Sequence, residues 1–149
     1  MKGLDALNAH LLAMPPVAAM QVKAVFHGDD MLALSAPLSA NVNDKGCAFG
    51  GSMAGIMTLA GWGLLTLKLE AEGLSAEVYV ADSHVRYLKP LYADIDAQAR
   101  LEPDVDWAAF VRSLRERGRA RAGIVATLRD PGGAVVAELS GRFAALRTA

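Results

Sequence analysis

The chain has 149 residues, of which 53% are hydrophobic and 21% charged, and its formal net charge is −1 at pH 7. A length of this size predicts one domain over residues 1–149 with a substantial hydrophobic core, and the composition excludes an intrinsically disordered chain. The near-zero net charge gives no indication of nucleic-acid binding. Cys47 is the only cysteine, which rules out an internal disulfide and fits a reducing compartment.

The first predicted element is a short amphipathic helix over residues 3–13, where leucines recur at helical spacing. Polar residues interrupt any apolar stretch near the N-terminus, so no secretory signal is predicted and a cytoplasmic location is expected. Pro15-Pro16 is expected to end this helix. Two strands that form a hairpin are predicted next, over residues 17–26 and 31–36, with the side chains of Val22, Ala24 and Phe26 on one face.

The central feature of the sequence is an apolar helix that follows a polar, glycine-containing loop. It begins near Gly50-Gly51 and is expected to end at Gly73, a residue type that commonly stops helices. Apolar residues occupy nearly every side of it, so it must be enclosed by protein or by lipid. Its glycines and its polar Ser52, Thr58 and Thr66 favour a protein-enclosed helix over a membrane span.

The second half of the chain predicts four strands and one helical insert. The longest strand spans residues 75–88, and simple alternation places Val78, Val80, Asp82, His84 and Arg86 on one of its faces. The following predicted elements are a strand over 93–101, a short helix over 104–117, and strands over 119–128 and 134–145 joined by a turn at residues 130–133. The order predicts an α+β domain in which a curved, mostly antiparallel sheet wraps one long helix.

Two sequence blocks resemble the hotdog-fold thioesterases, and most closely the YiiD C-terminal type of thioesterase domain. One block is Asn43-x-x-Gly46-x-x-Phe49-Gly50-Gly51-Ser52, and the other is Ala81-Asp82-Ser83-His84-x-Arg86-Tyr87-Leu88-x-Pro90. The resemblance covers nearly the whole chain and implies a hotdog fold. It also implies a homodimer or homotetramer, with acyl-thioester sites between the central helix of one subunit and the long strand of another.

Thioester hydrolysis places negative charge on the carbonyl oxygen, and free backbone N–H groups at a helix N-terminus stabilise such charge. The amides of Gly50 and Gly51, above all that of Gly51, are therefore candidate oxyanion donors. The alternative is that the two glycines only allow a tight turn into the helix. Many hotdog thioesterases carry a carboxylate two turns into this helix, where this chain has Thr58. Thr58 can position water or bond back to its own helix, but it cannot be the base.

Asp82 is then the leading candidate for the general base that activates water, with His84 as an alternative base or substrate contact. A structural ion pair between Asp82 and Arg86 is an equally open interpretation. The resemblance implies that Asn43 holds the water or the carbonyl, and a loop-capping asparagine is the alternative. Phe49 stands where several relatives have histidine.

The apolar wall of the acyl pocket is expected from Met53 and Met57, with Phe49 and Arg86 as further substrate contacts. Arg119 and Arg121 belong to a basic cluster that suits the phosphates of coenzyme A or of an acyl carrier protein, or that forms a solvated face. His10 and His27 have no metal-ligand spacing, so no metal site is predicted.

The sequence thus predicts an acyl-thioester hydrolase that acts on acyl-CoA or acyl carrier protein and needs no cofactor other than coenzyme A as part of the substrate. Two alternatives remain open. One is a non-catalytic binder of acyl-CoA or fatty acyl groups, favoured by the missing helix carboxylate. The other is a 3-hydroxyacyl thioester dehydratase that uses His84 with Asp82.

Overall fold

The computed structural model describes residues 3–148, which form one six-stranded antiparallel sheet around a long helix. The elements are α1 (Gly3–Leu12), α2 (Pro15–Met20), β1 (Lys23–Gly28), β2 (Met31–Ala36), α3 (Gly50–Ala71), β3 (Ala76–Tyr87), β4 (Ile95–Leu101), α4 (Trp107–Arg117), β5 (Arg119–Arg129) and β6 (Val135–Arg147). The predicted order of elements is confirmed, with two short additions, α2 and a 3₁₀ turn at Leu38–Ala40. The strand order is β1-β2-β4-β5-β6-β3, which makes β1 and β3 the two edges of the sheet.

The prediction for residues 17–26 is wrong in its first half, because the prolines start a helix and not a strand. Pro15 occupies the first turn of α2, where its missing N–H costs nothing, and Gln21 in the left-handed region (φ 56°) ends that helix. In β1 an irregularity between Ala24 and Phe26 shifts the register. Phe26 is therefore 43% exposed and does not share the inner face expected for it.

Helix α3 is the predicted enclosed helix, with Ile56, Met57 and Leu64 at 0% exposure. It is long and apolar enough to cross a membrane by length and composition, and 61% of its most apolar window is buried inside the fold. Glycines bring it close to the sheet. A Cβ built on Gly61 would lie 2.6 Å from Cζ of Phe143, so glycine at this position lets that ring pack directly on the helix backbone.

Strand β3 contains a β-bulge that decides which of its side chains face α3. Val80 pairs with Phe143 and Asp82 pairs with Arg142, so Ala81 is an extra residue. The alternation therefore restarts after Ala81, and the prediction that Asp82 shares a face with Val80 is wrong. Because Phe143 packs against α3, Val80 lies on the α3 side of the sheet and Asp82 lies on the opposite, outer side.

Helix α4 packs against β5 and ends at residue 117 as predicted, but it begins at Trp107 and not at residue 104. Asp106 caps its N-terminus by accepting a hydrogen bond from the Ala109 N–H at 3.1 Å, and Gly118 (φ 76°) ends it in the left-handed conformation. The turn before β6 is closed by the Ala134 N–H, which donates to Oδ1 of Asp130 at 2.9 Å. Both elements confirm the sequence pattern in this half of the chain.

Candidate functional site

The N-terminus of α3 presents backbone amides that the helix itself does not use. Gly50, Gly51 and Ser52 occupy its first turn, where N–H groups have no intrahelical acceptor. Phe49 precedes them in an extended conformation (φ −67°, ψ 129°), and its side chain makes no capping hydrogen bond. Over the described residues no hydrogen bond from these three amides to a neighbouring segment is found. The helix end therefore offers donors and the positive end of its dipole to a ligand.

The strand β3 and the loop before α3 hold this helix end in place. Tyr87 Oη donates to the carbonyl of Gly50 at 2.8 Å. The Phe49 N–H donates to the carbonyl of Asn41 at 2.7 Å, and the Ala48 N–H donates to the carbonyl of Leu91 at 2.8 Å. The first turn of α3 is thus fixed by contacts on both sides, as an oxyanion site requires.

Gly51 lies close to the ring of Phe49. A Cβ built on Gly51 would lie 2.5 Å from Cε2 of Phe49, whereas one built on Gly50 would meet the Tyr87 ring at 3.5 Å, an ordinary contact. Phe49 itself is 55% exposed beside the free amides. The sequence-predicted group of Gly50, Gly51 and Phe49 is therefore brought together in the structure.

Asn43 lies in the loop before α3, and the loop itself uses its side-chain amide. Its Oδ1 accepts hydrogen bonds from the N–H groups of Lys45 and Cys47 at 2.8 and 3.1 Å, and its Nδ2 donates to Sγ of Cys47 at 3.2 Å. This is the loop-capping arrangement left open by the sequence. Cys47 is buried at 6% exposure, in keeping with a structural residue.

The sequence did not single out Asn41, which connects three segments around the site. It is 2% exposed, and its Nδ2 donates to the carbonyls of Met20 and Pro37 at 2.9 and 2.8 Å. Because its own carbonyl accepts from Phe49, this residue ties α2 and the 3₁₀ turn to the start of α3. An asparagine in a turn-rich segment was its only sequence signal.

The helix residues expected to contact substrate are engaged elsewhere within the protomer. Thr58 Oγ1 donates to the carbonyl of Ala54 at 2.9 Å, one turn back on the same helix. Met53 and Met57 are 3% and 0% exposed and belong to the main core, so they do not form an open wall beside the free amides. The expected acyl pocket at these methionines is therefore not present in the protomer.

Asp82, His84 and Arg86 lie on the outer side of β3, away from the free amides of α3. Arg142 donates from Nε to Oδ1 of Asp82 at 3.1 Å and from Nη2 to Oδ2 of the same carboxylate. These hydrogen bonds hold the pKa of Asp82 below its ordinary value, with a smaller Coulombic contribution from Arg121. The pairing of Asp82 with Arg86 is wrong, because Arg86 instead donates to Oε1 of Glu138 at 3.0 Å.

The basic residues Arg119 and Arg121 project from β5 on this same outer side. Both are exposed, so they can reach a phosphate in solution. They lie on the side of the sheet opposite to α3, and the structure does not group them with Gly50 and Gly51. Within residues 3–148 no cluster of three metal-ligating side chains is found.

An apolar surface flanks the free amides along the edge strand. It includes Phe49, Tyr79, Val80, Tyr87 and Leu88, each more than 40% exposed. Large apolar side chains grouped beside an unpaired strand edge are typical of a surface that associates with another molecule. We refer to these five residues as the edge surface.

A pocket of about 620 Å³ lies between the second half of α3 and the first half of β3. Its lining is largely apolar and includes Glu70, a residue that the sequence analysis did not single out. The signal was present, since Glu70 is the sole acidic residue within α3. The lining residues are His10, Trp62, Thr66, Leu69, Glu70, Leu74, Ser75, Ala76, Glu77, Val78 and Tyr79.

The fold and this helix end define the class of protein. An antiparallel sheet wrapped around one long central helix is the hotdog fold, and its solved neighbours include thioesterases. Residues 5–147 match the family described as "Putative thioesterase (yiiD_Cterm)". The chain belongs to this family, as its two sequence blocks indicated.

Solved structures agree with this assignment. A protein of unknown function from Chlorobaculum tepidum is 26% identical, with a TM-score of 0.89 over 97% of this chain and 94% of that chain. A structure from Shewanella oneidensis described as a "putative thioesterase" is 28% identical, with a TM-score of 0.83 over 96% of each chain. A thioesterase from Haemophilus influenzae shares the fold at 16% identity, with a TM-score of 0.76 over 99% of this chain and 92% of that chain.

Proposed function

We propose that this protein is an acyl-thioester hydrolase that acts on acyl-CoA or on acyl carrier protein. The observation that carries the proposal is the set of free amides at Gly50, Gly51 and Ser52, held in place at the N-terminus of a buried helix in a chain of a thioesterase family. Coenzyme A enters as part of the substrate, and the reaction requires no further cofactor.

The amides act where charge develops. When water adds to the thioester carbonyl, its oxygen becomes negatively charged, and N–H groups aimed at that position stabilise the transition state more than the substrate. Gly51 is the preferred donor because it is exposed and has no side chain to obstruct the substrate. Phe49, also exposed beside it, supplies apolar contact to the bound acyl group.

The complete site requires a second copy of the chain in this proposal. The edge surface and the unpaired β3 edge favour association through β3, which would continue the sheet into a homodimer, and two dimers could form a tetramer. Strands related by a two-fold axis along such an edge run antiparallel. The Ala76 end of one β3 then lies beside the Tyr87 end of the other, which carries the partner's helix N-terminus.

The structure gives less support to Asp82 as the general base than to Gly50 and Gly51 as oxyanion donors. Its carboxylate is on the outer side of the sheet and is bonded to Arg142, which lowers its pKa and reduces its strength as a base. We therefore retain the hydrolase and the amides of Gly50 and Gly51 in the proposal, and treat Asp82 as a residue to be tested. The outer-side Arg119 and Arg121 are proposed to attract the phosphates of the substrate.

A matched pair of substitutions at Gly51 tests the oxyanion role. Gly51→Pro removes the amide hydrogen, whereas Gly51→Ala keeps it and introduces the same Cβ contact with Phe49. We expect Gly51→Pro to lower kcat by roughly a hundredfold relative to Gly51→Ala. Free thiol release from acetyl-, hexanoyl- and benzoyl-CoA is the measurement, and equal kcat values would contradict the role of this amide.

The same substrates separate the alternatives. Tight binding of acyl-CoA without thiol release by the wild-type protein would contradict the hydrolase and favour a non-catalytic binder. Formation of an enoyl product from 3-hydroxyacyl-CoA without thiol release would favour a dehydratase. Thiol release that scales with protein concentration supports the proposed reaction.

A further inference from the structure

The carboxylate of Glu70 is buried without a hydrogen-bond partner. Neither Oε1 nor Oε2 has measurable solvent exposure, and within residues 3–148 no donor lies within hydrogen-bond distance of either oxygen. Burying a charged group without a hydrogen-bond donor costs free energy, so buried charges in proteins are normally paired. An unpaired buried charge is often found where it has a functional role. Glu70 therefore needs an explanation beyond fold stability.

The other carboxylates near the site are already engaged. Glu77, which also lines the pocket, accepts a hydrogen bond from Tyr79 Oη at 2.7 Å. Glu72 accepts from Nε1 of Trp107 at 3.1 Å, and Asp82 is bonded to Arg142. In the described part of the chain, Glu70 is the sole carboxylate with both oxygens buried and unpartnered. Its hydrogen-bonding capacity is therefore not used by the protein itself.

The pocket around Glu70 is suited to an acyl thioester. Its volume of about 620 Å³ is in the range of small-molecule sites, and Trp62, Leu69 and Val78 provide apolar surface around the carboxylate. The acyl pocket was expected at Met53 and Met57, but both methionines are buried in the core. The pocket beside Glu70 is therefore the alternative candidate for the acyl group. The volume is large enough to hold an acyl group beside Glu70.

The position of the pocket connects it to the free amides of a second copy. The pocket lies beside Ala76–Tyr79, the end of β3 opposite to Tyr87, which holds the first turn of α3. In the antiparallel dimer proposed above, the Ala76 end of one strand meets the partner's Tyr87 end. The pocket of one protomer then faces the helix N-terminus of the other.

We propose that Glu70 is the general base of the hydrolase and that its pocket holds the acyl thioester; this inference rests on the proposed function. Glu70 takes a proton from water as the water oxygen bonds to the thioester carbonyl carbon. The carbonyl oxygen becomes an oxyanion at the partner's helix N-terminus. The oxyanion then reforms the carbonyl, the carbon–sulfur bond breaks, and the leaving sulfur receives the proton from Glu70. The products are a carboxylic acid and a thiol.

The test compares Glu70→Gln, which keeps the size of the side chain but removes the base, with Glu116→Gln as the control. Glu116 is exposed on α4, away from the pocket, and its replacement changes net charge by the same amount. We expect Glu70→Gln to lower kcat for hexanoyl-CoA by roughly 10²- to 10⁴-fold with KM within about threefold of wild type. Glu116→Gln is expected to match the wild-type kcat.

A second substitution distinguishes a base from a structural residue. Glu70→Asp keeps the charge but shortens the side chain, so its kcat should fall between those of the other two proteins. Circular dichroism melting of each variant reports whether folding is retained, and Glu70→Asp provides the test if Glu70→Gln does not fold.

The outcomes separate this inference from the proposed function. If the wild-type protein hydrolyses hexanoyl-CoA and a folded Glu70→Gln does so at a similar rate, Glu70 is not the base and the hydrolase assignment stands. Loss of activity in Asp82→Asn with activity retained in Glu70→Gln would restore the sequence hypothesis and overturn this one. If the wild-type protein releases no thiol from any acyl-CoA tested, the proposed function fails, and the role of Glu70 fails with it.

Discussion

Tyr87 at the end of the edge strand donates a hydrogen bond from its hydroxyl to the carbonyl of Gly50, at 2.8 Å. This contact joins the outermost strand of the sheet directly to the first turn of the central helix. The bond therefore connects the strand that is proposed to pair with another chain to the amides that are proposed to stabilise the oxyanion.

Removing the hydroxyl of Tyr87 should lower kcat/KM more than it lowers the free energy of unfolding. In Tyr87→Phe the ring remains and the hydrogen bond is lost, and such a partly exposed bond contributes about 1 kcal/mol or less to the free energy of unfolding. We expect a several-fold fall in kcat/KM, because the first turn of α3 is less firmly placed. Urea unfolding and thiol release measure the two effects, and an unchanged kcat/KM would show that this bond does not position the amides.

Substitutions at Gly61 and Gly55 compare a tightly packed position of α3 with an open one. A Cβ at Gly61 would lie 2.6 Å from the fully buried ring of Phe143, so Gly61→Ala should lower the free energy of unfolding by about 1–3 kcal/mol. A Cβ at Gly55 would make an ordinary contact at 3.9 Å with Met20, so Gly55→Ala should raise the free energy of unfolding by about 0.5–1 kcal/mol. Urea denaturation of both variants checks the expected opposite signs.

The ion pair between Asp82 and Arg142 predicts a defined pH dependence. Because Arg142 lowers the pKa of Asp82 in the folded state, the pair stabilises the protein above the unfolded-state pKa of about 3.9. This stabilisation is lost as pH falls through the lower, folded-state pKa. The carboxyl resonance of Asp82 followed by NMR should titrate below its ordinary range in the wild-type protein and return toward it in Arg142→Gln. The same pKa in both proteins would contradict the pairing.

The two edges of the sheet allow a controlled test of association. Val80 belongs to the edge surface on β3, and Val25 is similarly exposed on β1, the opposite edge. A lysine at an edge position opposes strand pairing, so Val80→Lys should shift the protein toward monomer. Val25→Lys should leave the assembly unchanged. Sedimentation equilibrium gives the mass of each, and a monomeric wild-type protein would remove the proposed dimer.

Much of the fold could be predicted from the sequence because its signals are local. The apolar helix, the turn at residues 130–133 and the alternation in β5 and β6 each reflect periodicity within a short segment. The start of α2 was missed because Pro15-Pro16 stops one helix and equally well begins another. The family resemblance implied the hotdog fold, but the order of the strands in the sheet depends on contacts between distant segments and was not predicted.

The site was only partly predictable, and the reason differs from residue to residue. Gly50 and Gly51 are marked by their place before an apolar helix, and the structure brings them together with Phe49. Asp82 was assigned to the wrong face because a bulge has no reliable sequence signature. Glu70 was overlooked because the pocket that it lines also involves residues distant in sequence, such as His10 and Val78.

The extra residue at Ala81 has a consequence for how the chain can vary. Val80 and Asp82 are paired with adjacent residues of β6, so deleting Ala81 would leave a regular ladder with both side chains on their present sides. The length of this strand can therefore differ by one residue between related proteins while every side chain keeps its orientation. Aligning relatives by counting positions would misplace the polar half of the strand, whereas aligning them by cross-strand partners would not.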